Sequence, residues 1–246
     1  MKKTAIMSLI PYLKGSYPIG VGTTAICFLM KNGNVLKVFL NTYNKNVLFN
    51  YYDNIIEHFE RINTLKNDTY IVPEELLIKD GKCIAYIYKY EASKTLKSIR
   101  LKTRIDCLID SYDKLLEDTK KISYKKFDII DLHDRNILFG PFFKIIDLDQ
   151  GNFKDNLTEE ELFRYNMINI NETIIYSLLR KDKRKEIIEF YDKDLEKMYK
   201  EYAIKDFKKM KLFLKELEKH NINTVKDIKL NSNKLVLTTE NYYRHY

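Results

Sequence analysis

The sequence predicts an α+β fold, with a mostly antiparallel sheet and one helix over about residues 1–90 and a mainly helical stretch over about 94–246. Three observations carry this reading. Five of the seven glycines (15, 20, 22, 33, 81) and three of the four prolines (11, 18, 73) fall before residue 90. Short apolar runs in that portion are separated by turn residues, as strands are. Beyond Ala92-Ser93 the apolar residues recur at three and four, the period of a helix. A chain of 246 residues suits one domain of two lobes, with the boundary at about 89–93.

Residues 16–40 read as strands. Ala25–Met30 and Val35–Leu40 flank Lys31-Asn32-Gly33-Asn34, and Asn-Gly between apolar runs signals a hairpin because both residues accept positive φ. Residues 46–66 read as a helix, with Tyr52, Ile55, Ile56, Phe59 and Ile62 on one stripe. Ile71–Ile78 and Cys83–Tyr90 form a second strand pair around Lys79-Asp80-Gly81-Lys82. Residues 94–122 read as a helix, with Leu96, Ile99, Ile105, Leu108, Ile109 and Leu115 on one face. Two short strands, Asn136–Phe139 and Phe143–Ile146, surround a Gly140-Pro141 turn. From Thr158 onward the pattern is helical, with breaks near 181–183, 203–205 and 221–224.

Composition narrows the function. Hydrophobic residues make up 45% and charged residues 32%, which excludes a disordered or collagen-like chain. The net charge of +8 is spread along the chain and favours anionic ligands without choosing among them. Cys27, Cys83 and Cys107 are odd in number and have no metal-like spacing, which fits a reducing, cytoplasmic setting. No apolar run approaches the roughly 20 residues that span a bilayer, and no signal peptide is read at the N-terminus, so no membrane partner is expected. Residues 180–219 hold fourteen Lys and Arg against ten Asp and Glu, with apolar residues at helical spacing. That mixture reads as solvated amphipathic helices and argues against nucleic acid. The C-terminal Tyr242-Tyr243-Arg244-His245-Tyr246 reads as a packed or frayed end. The scattered His58, His220 and His245 give no zinc site.

Four segments carry candidate chemistry. Gly20-Val21-Gly22-Thr23-Thr24-Ala25 lies between two strands, where residues without Cβ let the backbone approach phosphate oxygens. A strand follows it and not a helix, which argues against a dinucleotide fold. Lys37, inside Val35-Leu36-Lys37-Val38-Phe39, either faces solvent on an alternating strand or sits near the core and needs an anion. Asp131-Leu132-His133-Asp134-Arg135-Asn136 precedes an apolar strand, and Phe143-Lys144-Ile145-Ile146-Asp147-Leu148-Asp149 ends one in a carboxylate. A hairpin between them would bring Asn136 and Asp147 together, and an amide oxygen with a carboxylate suits Mg²⁺ bound to a nucleotide.

A glycine-rich hairpin, a strand lysine, a helix glutamate, D-L-x-x-x-N and an apolar strand ending in Asp occur here in the order of the protein-kinase signature set. Over residues 16–152 the chain resembles the protein-kinase-like superfamily, in particular a small bacterial-type Ser/Thr kinase. The resemblance implies a bilobal fold, with ATP and Mg²⁺ as cofactors and a protein hydroxyl as acceptor. It implies that residues 20–25 cover the phosphates, and that Lys37 contacts the α/β-phosphates and pairs with Glu60, preferred over Glu57 on spacing. Tyr88, the main chain of Lys89 and Glu91, Leu138 and Ile146 would surround the adenine. Asp131 would serve the acceptor hydroxyl, with His133 beside it, and Asn136 and Asp147 would hold Mg²⁺.

The departures set the alternatives. Ile129 and Ile130 stand where the family has His or Tyr and Arg, which removes the usual cation for a phosphorylated activation loop. His133 stands where protein kinases commonly have Lys; aminoglycoside- and choline-kinase-like enzymes commonly have His. Asp149 is a second metal ligand or a turn carboxylate. No A-P-E follows, and about a dozen residues separate Asp147 from the next helix. The alternatives are therefore a small-molecule kinase and a nucleotide-binding pseudokinase scaffold.

Overall fold

A computed structural model describes residues 1–40, 55–178 and 221–230. It is α+β, with a mostly antiparallel N-terminal sheet and a few helices. Two compact units are present: Met1–Ala92 together with Asp147–Asp149, and Ser93–Ile146 together with the residues from Gln150 on.

The first unit is built on six strands: β1 (Lys2–Ala5), β2 (Tyr17–Val21), β3 (Ala25–Leu29), β4 (Asn34–Phe39), β5 (Glu75–Lys79) and β6 (Lys82–Lys89). Their order is β1-β5-β6-β4-β3-β2, and every pair is antiparallel except β1 with β5. The β3–β4 hairpin differs in detail from the expectation. Only Gly33 takes positive φ (80°), and its N–H closes a turn on the Met30 carbonyl at 3.1 Å. The result is a three-residue loop with a left-handed last residue, and Asn32 instead caps the Asn34 N–H through its Oδ1. In the β5–β6 hairpin both Asp80 (φ 50°) and Gly81 (φ 74°) are left-handed, as a two-residue turn requires.

The expected strand at 71–78 begins only at Glu75. Pro73 has no N–H to give a ladder, so the residues before it stay outside the sheet. Strand β1 was not expected: four mostly exposed residues carry no alternation. Its backbone register with β5 is reinforced by Thr4 Oγ1 donating to Glu75 at 2.6 Å.

Pleating gives the sheet two different faces. Leu36, Leu77, Ala85 and Ile87 form one buried cluster, packed by Leu9, Tyr12 and Leu13 from the segment containing the short helix α1 (Ile10–Leu13). Phe39 and Tyr86 meet Phe59 of helix α2 (Ile55–Asn63), with ring centroids 6.3 and 5.2 Å away. Helix α2 buries Ile55, His58, Phe59 and Ile62, one stripe at helical spacing. The part of the expected helix before Ile55, with Tyr52, lies outside the described residues.

In the second unit the helix expected from 94 starts at 105. Lys94–Thr95 is a short strand (β7), Leu96–Ser98 a 3₁₀ turn, and α3 spans Ile105–Tyr124. Leu96 and Ile99 are buried nonetheless, because a spacing of three also satisfies a 3₁₀ turn. Strands β8 (Phe127–Asp128), β9 (Ile137–Phe139), β10 (Phe143–Ile145) and β11 (Asn152–Phe153) form small sheets, β10-β9-β7 and β11-β8. Helix α4 (Glu159–Leu178) packs on α3, and Tyr112 donates to Asn171 Oδ1 at 2.7 Å. Thr158 and Glu161 form a capping box at its start: the Glu161 N–H donates to Thr158 Oγ1 at 3.2 Å and the Thr158 N–H to Glu161 Oε2 at 2.8 Å. The break expected near 221–224 is present, with Asn221 at φ 58° and helix α5 (Val225–Leu230) after it. The other expected breaks, the basic helices of 180–219 and the C-terminal tyrosines lie outside the described residues. Among the described residues no helix is long and apolar enough to cross a membrane.

Candidate functional site

Lys37 lies on β4, between β3 and β6, and is 5% exposed. It is therefore not on a solvated face. Its ammonium donates to Asp149 Oδ2 at 2.9 Å and to Asp147 Oδ1, and it stands 5.5 Å from the centre of the Tyr86 ring. Burial alone would lower the pKa of this lysine, but the two carboxylates more than offset that and raise it. Asp149 is fully buried. Burial pushes its carboxyl up to about 7, against the pull of Lys37, and the neighbouring Asp147 charge adds to the rise. Lys37 thus serves both carboxylates, and among the described residues Asp149 Oδ1 is buried with no hydrogen-bond partner.

Asp147 reaches Lys37 from a left-handed backbone conformation, φ 66°. That conformation is uncommon for a residue with a Cβ, although Asp tolerates it better than most. It turns the chain from β10 into a 3₁₀ turn at Leu148–Gln150. Gly151 completes the passage: a Cβ there would stand 2.2 Å from the Phe127 ring and 2.9 Å from the Asp128 carbonyl, so only glycine fits.

The residue that α2 directs at this cluster is His58. Its Nε2 lies 3.3 Å from the Asp149 carbonyl, which can only accept, so Nε2 carries the hydrogen. Burial lowers the His58 pKa to about 4, so the ring is neutral near pH 7. The expected pairing of Lys37 with Glu60 is corrected here. Glu60 is exposed and accepts from Lys3 at 2.6 Å, because the apolar stripe of α2 turns positions 57 and 60 outward. Nothing in the sequence reading gave His58 a role. The available sign was its place three after Ile55 and four before Ile62, on the buried stripe.

The surrounding groups stay uncharged. Tyr88 donates to Cys27 Sγ at 3.9 Å, and burial raises the pKa values of Cys27, Tyr86 and Tyr88. Ile71, Pro73, Tyr86, Tyr88 and Asp147–Asp149 line a cavity of about 10 Å³, the room of one water. Gly20 lies in β2 and Gly22 follows it, neither with positive φ. A Cβ at Gly20 would stand 4.0 Å from Cys27 Cβ and one at Gly22 3.5 Å from the Ala25 carbonyl, both ordinary contacts. Among the described residues nothing demands glycine at either place. Val21, Thr23 and the half-buried Thr24 complete this exposed turn, and Ala25 is buried where a third glycine would fall. Lys89 ends β6 opposite Asn34, and Glu91 follows half-buried.

In the second unit a buried asparagine on α4 shapes the approach to Asp131. Asn166 Oδ1 accepts the Ile129 N–H at 2.8 Å, while its Nδ2 donates to the Phe127 carbonyl at 2.8 Å and Ser123 Oγ at 3.1 Å. This clamp also went unread in the sequence, since a lone Asn in a helix shows nothing of its partners. Asn136 is 5% exposed; its Nδ2 donates to the Asp131 carbonyl at 2.9 Å and its N–H to the His133 carbonyl at 2.9 Å. The five-residue spacing from Asp131 to Asn136 is therefore that of a loop closed by the asparagine amide. The Asn136 carbonyl accepts the N–H of Ile146, the residue before Asp147, at 2.9 Å. Leu138 is buried in β9 opposite Lys144, and Ile146 is half-buried.

The side chains of Asp131 and His133 are 49% and 46% exposed, with His133 Nε2 4.0 Å from Asp131 Oδ1. The Arg135 N–H donates to His133 Nδ1 at 3.2 Å, which leaves a ring hydrogen on Nε2, on the side of the Asp131 carboxylate. Ile130, Leu132, His133, Asp134, Asn169, Glu172 and Thr173 line an open pocket of about 470 Å³.

Among the described residues no group of three His, Cys, Asp or Glu side chains is arranged to hold a metal ion. Mg²⁺ at nucleotide sites needs fewer, because it is bound through one or two carboxylates plus phosphate oxygens and water. No protein-family model matches the chain, and no curated protein matches it.

Proposed function

We propose that this protein is an ATP- and Mg²⁺-dependent phosphotransferase with the bilobal architecture of the protein-kinase-like superfamily, acting on a protein Ser or Thr hydroxyl. One observation carries the reading: Lys37, buried in a strand, is held by two carboxylates from 110 and 112 positions further along the chain. An ammonium beside an acceptor-rich carboxylate pair is what a metal–triphosphate needs, a cation for its oxygens and oxygens for its metal.

The donor set fits Mg²⁺. Asp147 and Asp149 are hard oxygen ligands held by Lys37, and among the described residues Asp149 Oδ1 lacks a hydrogen-bond partner. Asp147, Asp149 and Asn136 would hold the ion, which supplies charge neutralisation to the phosphates. Lys37, released from the carboxylates, would bind phosphate oxygens, and residues 20–25 would cover them. Asp131 would accept the hydroxyl proton as the acceptor oxygen bonds to the γ-phosphorus and the bridging oxygen departs with ADP. His133, with its hydrogen toward Asp131, would hold that carboxylate in place.

A second reading, a small-molecule acceptor, has its own support. The pocket formed by residues on either side of Asp131 is open and of ligand size. Between Asp147 and the start of α4 at Glu159 the chain is taken up by a 3₁₀ turn and β11, which leaves little length for a peptide-docking segment.

The test is incubation with γ-labelled ATP, Mg²⁺ and a cell lysate, with Asp131→Asn as control. Label in protein bands that vanish with the variant supports the first reading, and label in a small molecule the second. ATP binding without transfer to either supports the scaffold, and no binding refutes all three.

A further inference from the structure

We infer that His58 is the positioning residue by which α2 fixes the Asp147–Asp149 turn, through a hydrogen bond to main chain where a helix carboxylate would otherwise meet Lys37. Its consequence for ligand binding rests on the reading above; its consequence for the turn does not.

Helix α2 buries one face. Positions 55, 58, 59 and 62 point inward, so a residue that reads the site from this helix must occupy one of them. Three are apolar and the fourth is His58. Both glutamates of the helix are exposed, and Glu60 is engaged by Lys3. A carboxylate at position 58 would add a third negative charge beside the carboxylates of Asp147 and Asp149. An imidazole adds no negative charge, and its Nε2–H can donate. The Nε2–H meets the Asp149 carbonyl at 3.3 Å, while the Asp149 side chain turns its Oδ2 to Lys37 at 2.9 Å. One residue is thus gripped at main chain and side chain by two different elements. Phe59, with its ring centroid 6.0 Å from that of His58, packs beside the imidazole.

Such a bond holds the ligand's orientation without touching the ligand, and loss of an outer partner of this kind costs about 10–100-fold in metal affinity. The comparison uses His58→Gln, which keeps a neutral donor of similar reach, and His58→Met, which keeps volume and loses the donor. Phe59→Leu serves as a packing control. Calorimetric titration with ATP, with and without Mg²⁺, is paired with hydrogen exchange of the 148–151 amides. The expected result is that His58→Met binds MgATP at least about 10-fold more weakly and metal-free ATP nearly as the parent does. It also loses protection at 148–151, while His58→Gln restores both and Phe59→Leu alters neither. Equal loss with and without Mg²⁺, or no rescue by Gln, overturns the inference. If His58→Met does not fold, His58→Gln decides, since a tenfold loss there overturns the inference and parental affinity supports it. If the parent chain binds no ATP, the kinase reading falls and exchange alone decides: unchanged protection in the variants overturns the positioning role.

Discussion

In the sheet unit the charges of interest are buried: Lys37 and Asp149 are almost inaccessible, and each is defined by the other. In the helical unit Asp131 and His133 are about half exposed, and what is buried is the polar backbone support beneath them, Asn136 and Asn166. The difference separates two tasks. A buried cluster fixes charge where water cannot screen it, so its members depend on one another for stability as well as chemistry. An exposed carboxylate on a buttressed loop is free to meet an incoming group, and its removal costs the fold little. Substitutions in the first unit should therefore change stability and ligand binding together, and those at the exposed pair should change turnover alone.

The largest effect is expected at Lys37. Lys37→Met leaves two carboxylates without their cation and should lower stability by about 3 kcal/mol, as breaking a buried ion pair does. Denaturant unfolding and a transfer assay should show the loss of stability and of activity together. Adding Asp149→Asn should recover much of the stability and none of the activity. Asp131→Asn should reduce transfer by ~10³-fold, leave ATP affinity unchanged and shift stability by under about 0.5 kcal/mol. A large loss of stability there would erase the contrast between the units. Asn166→Ala removes three hydrogen bonds from a buried site and should cost about 2–4 kcal/mol; kcat should fall more than KM for ATP rises. The smallest effect belongs to Thr158→Ala, which removes the cap of α4 and should cost about 1 kcal/mol with no change in turnover.

The parts of this structure legible in the sequence are those set by local pattern or by order along the chain. Asn32-Gly33 and Asp80-Gly81 announce their hairpins: Gly33, Asp80 and Gly81 take the left-handed backbone that few other residues accept, and Asn32 caps its turn through the side chain. Lys37, Asp131, Asn136 and Asp147 stand out through motif spacing. What escaped depends on partners distant in sequence. Strand β1 pairs in parallel with residues more than seventy positions away and has no alternation of its own. Residues 94–104 show a spacing that a 3₁₀ turn satisfies as well as a helix. Glu60 was assigned by distance along the chain, but the face of a helix is set by its apolar stripe, and that stripe presents His58. Asn166 carries no mark in the sequence, because its work is to satisfy backbone groups some forty residues earlier.

The most direct measurement is a calorimetric titration of the parent chain and Asp147→Ala with ATP, in the presence and absence of Mg²⁺. The parent should bind MgATP, and Asp147→Ala should lose at least about 10-fold of that affinity while metal-free ATP binds both proteins alike. A parent chain indifferent to ATP, or an equal loss whether or not Mg²⁺ is present, would contradict it.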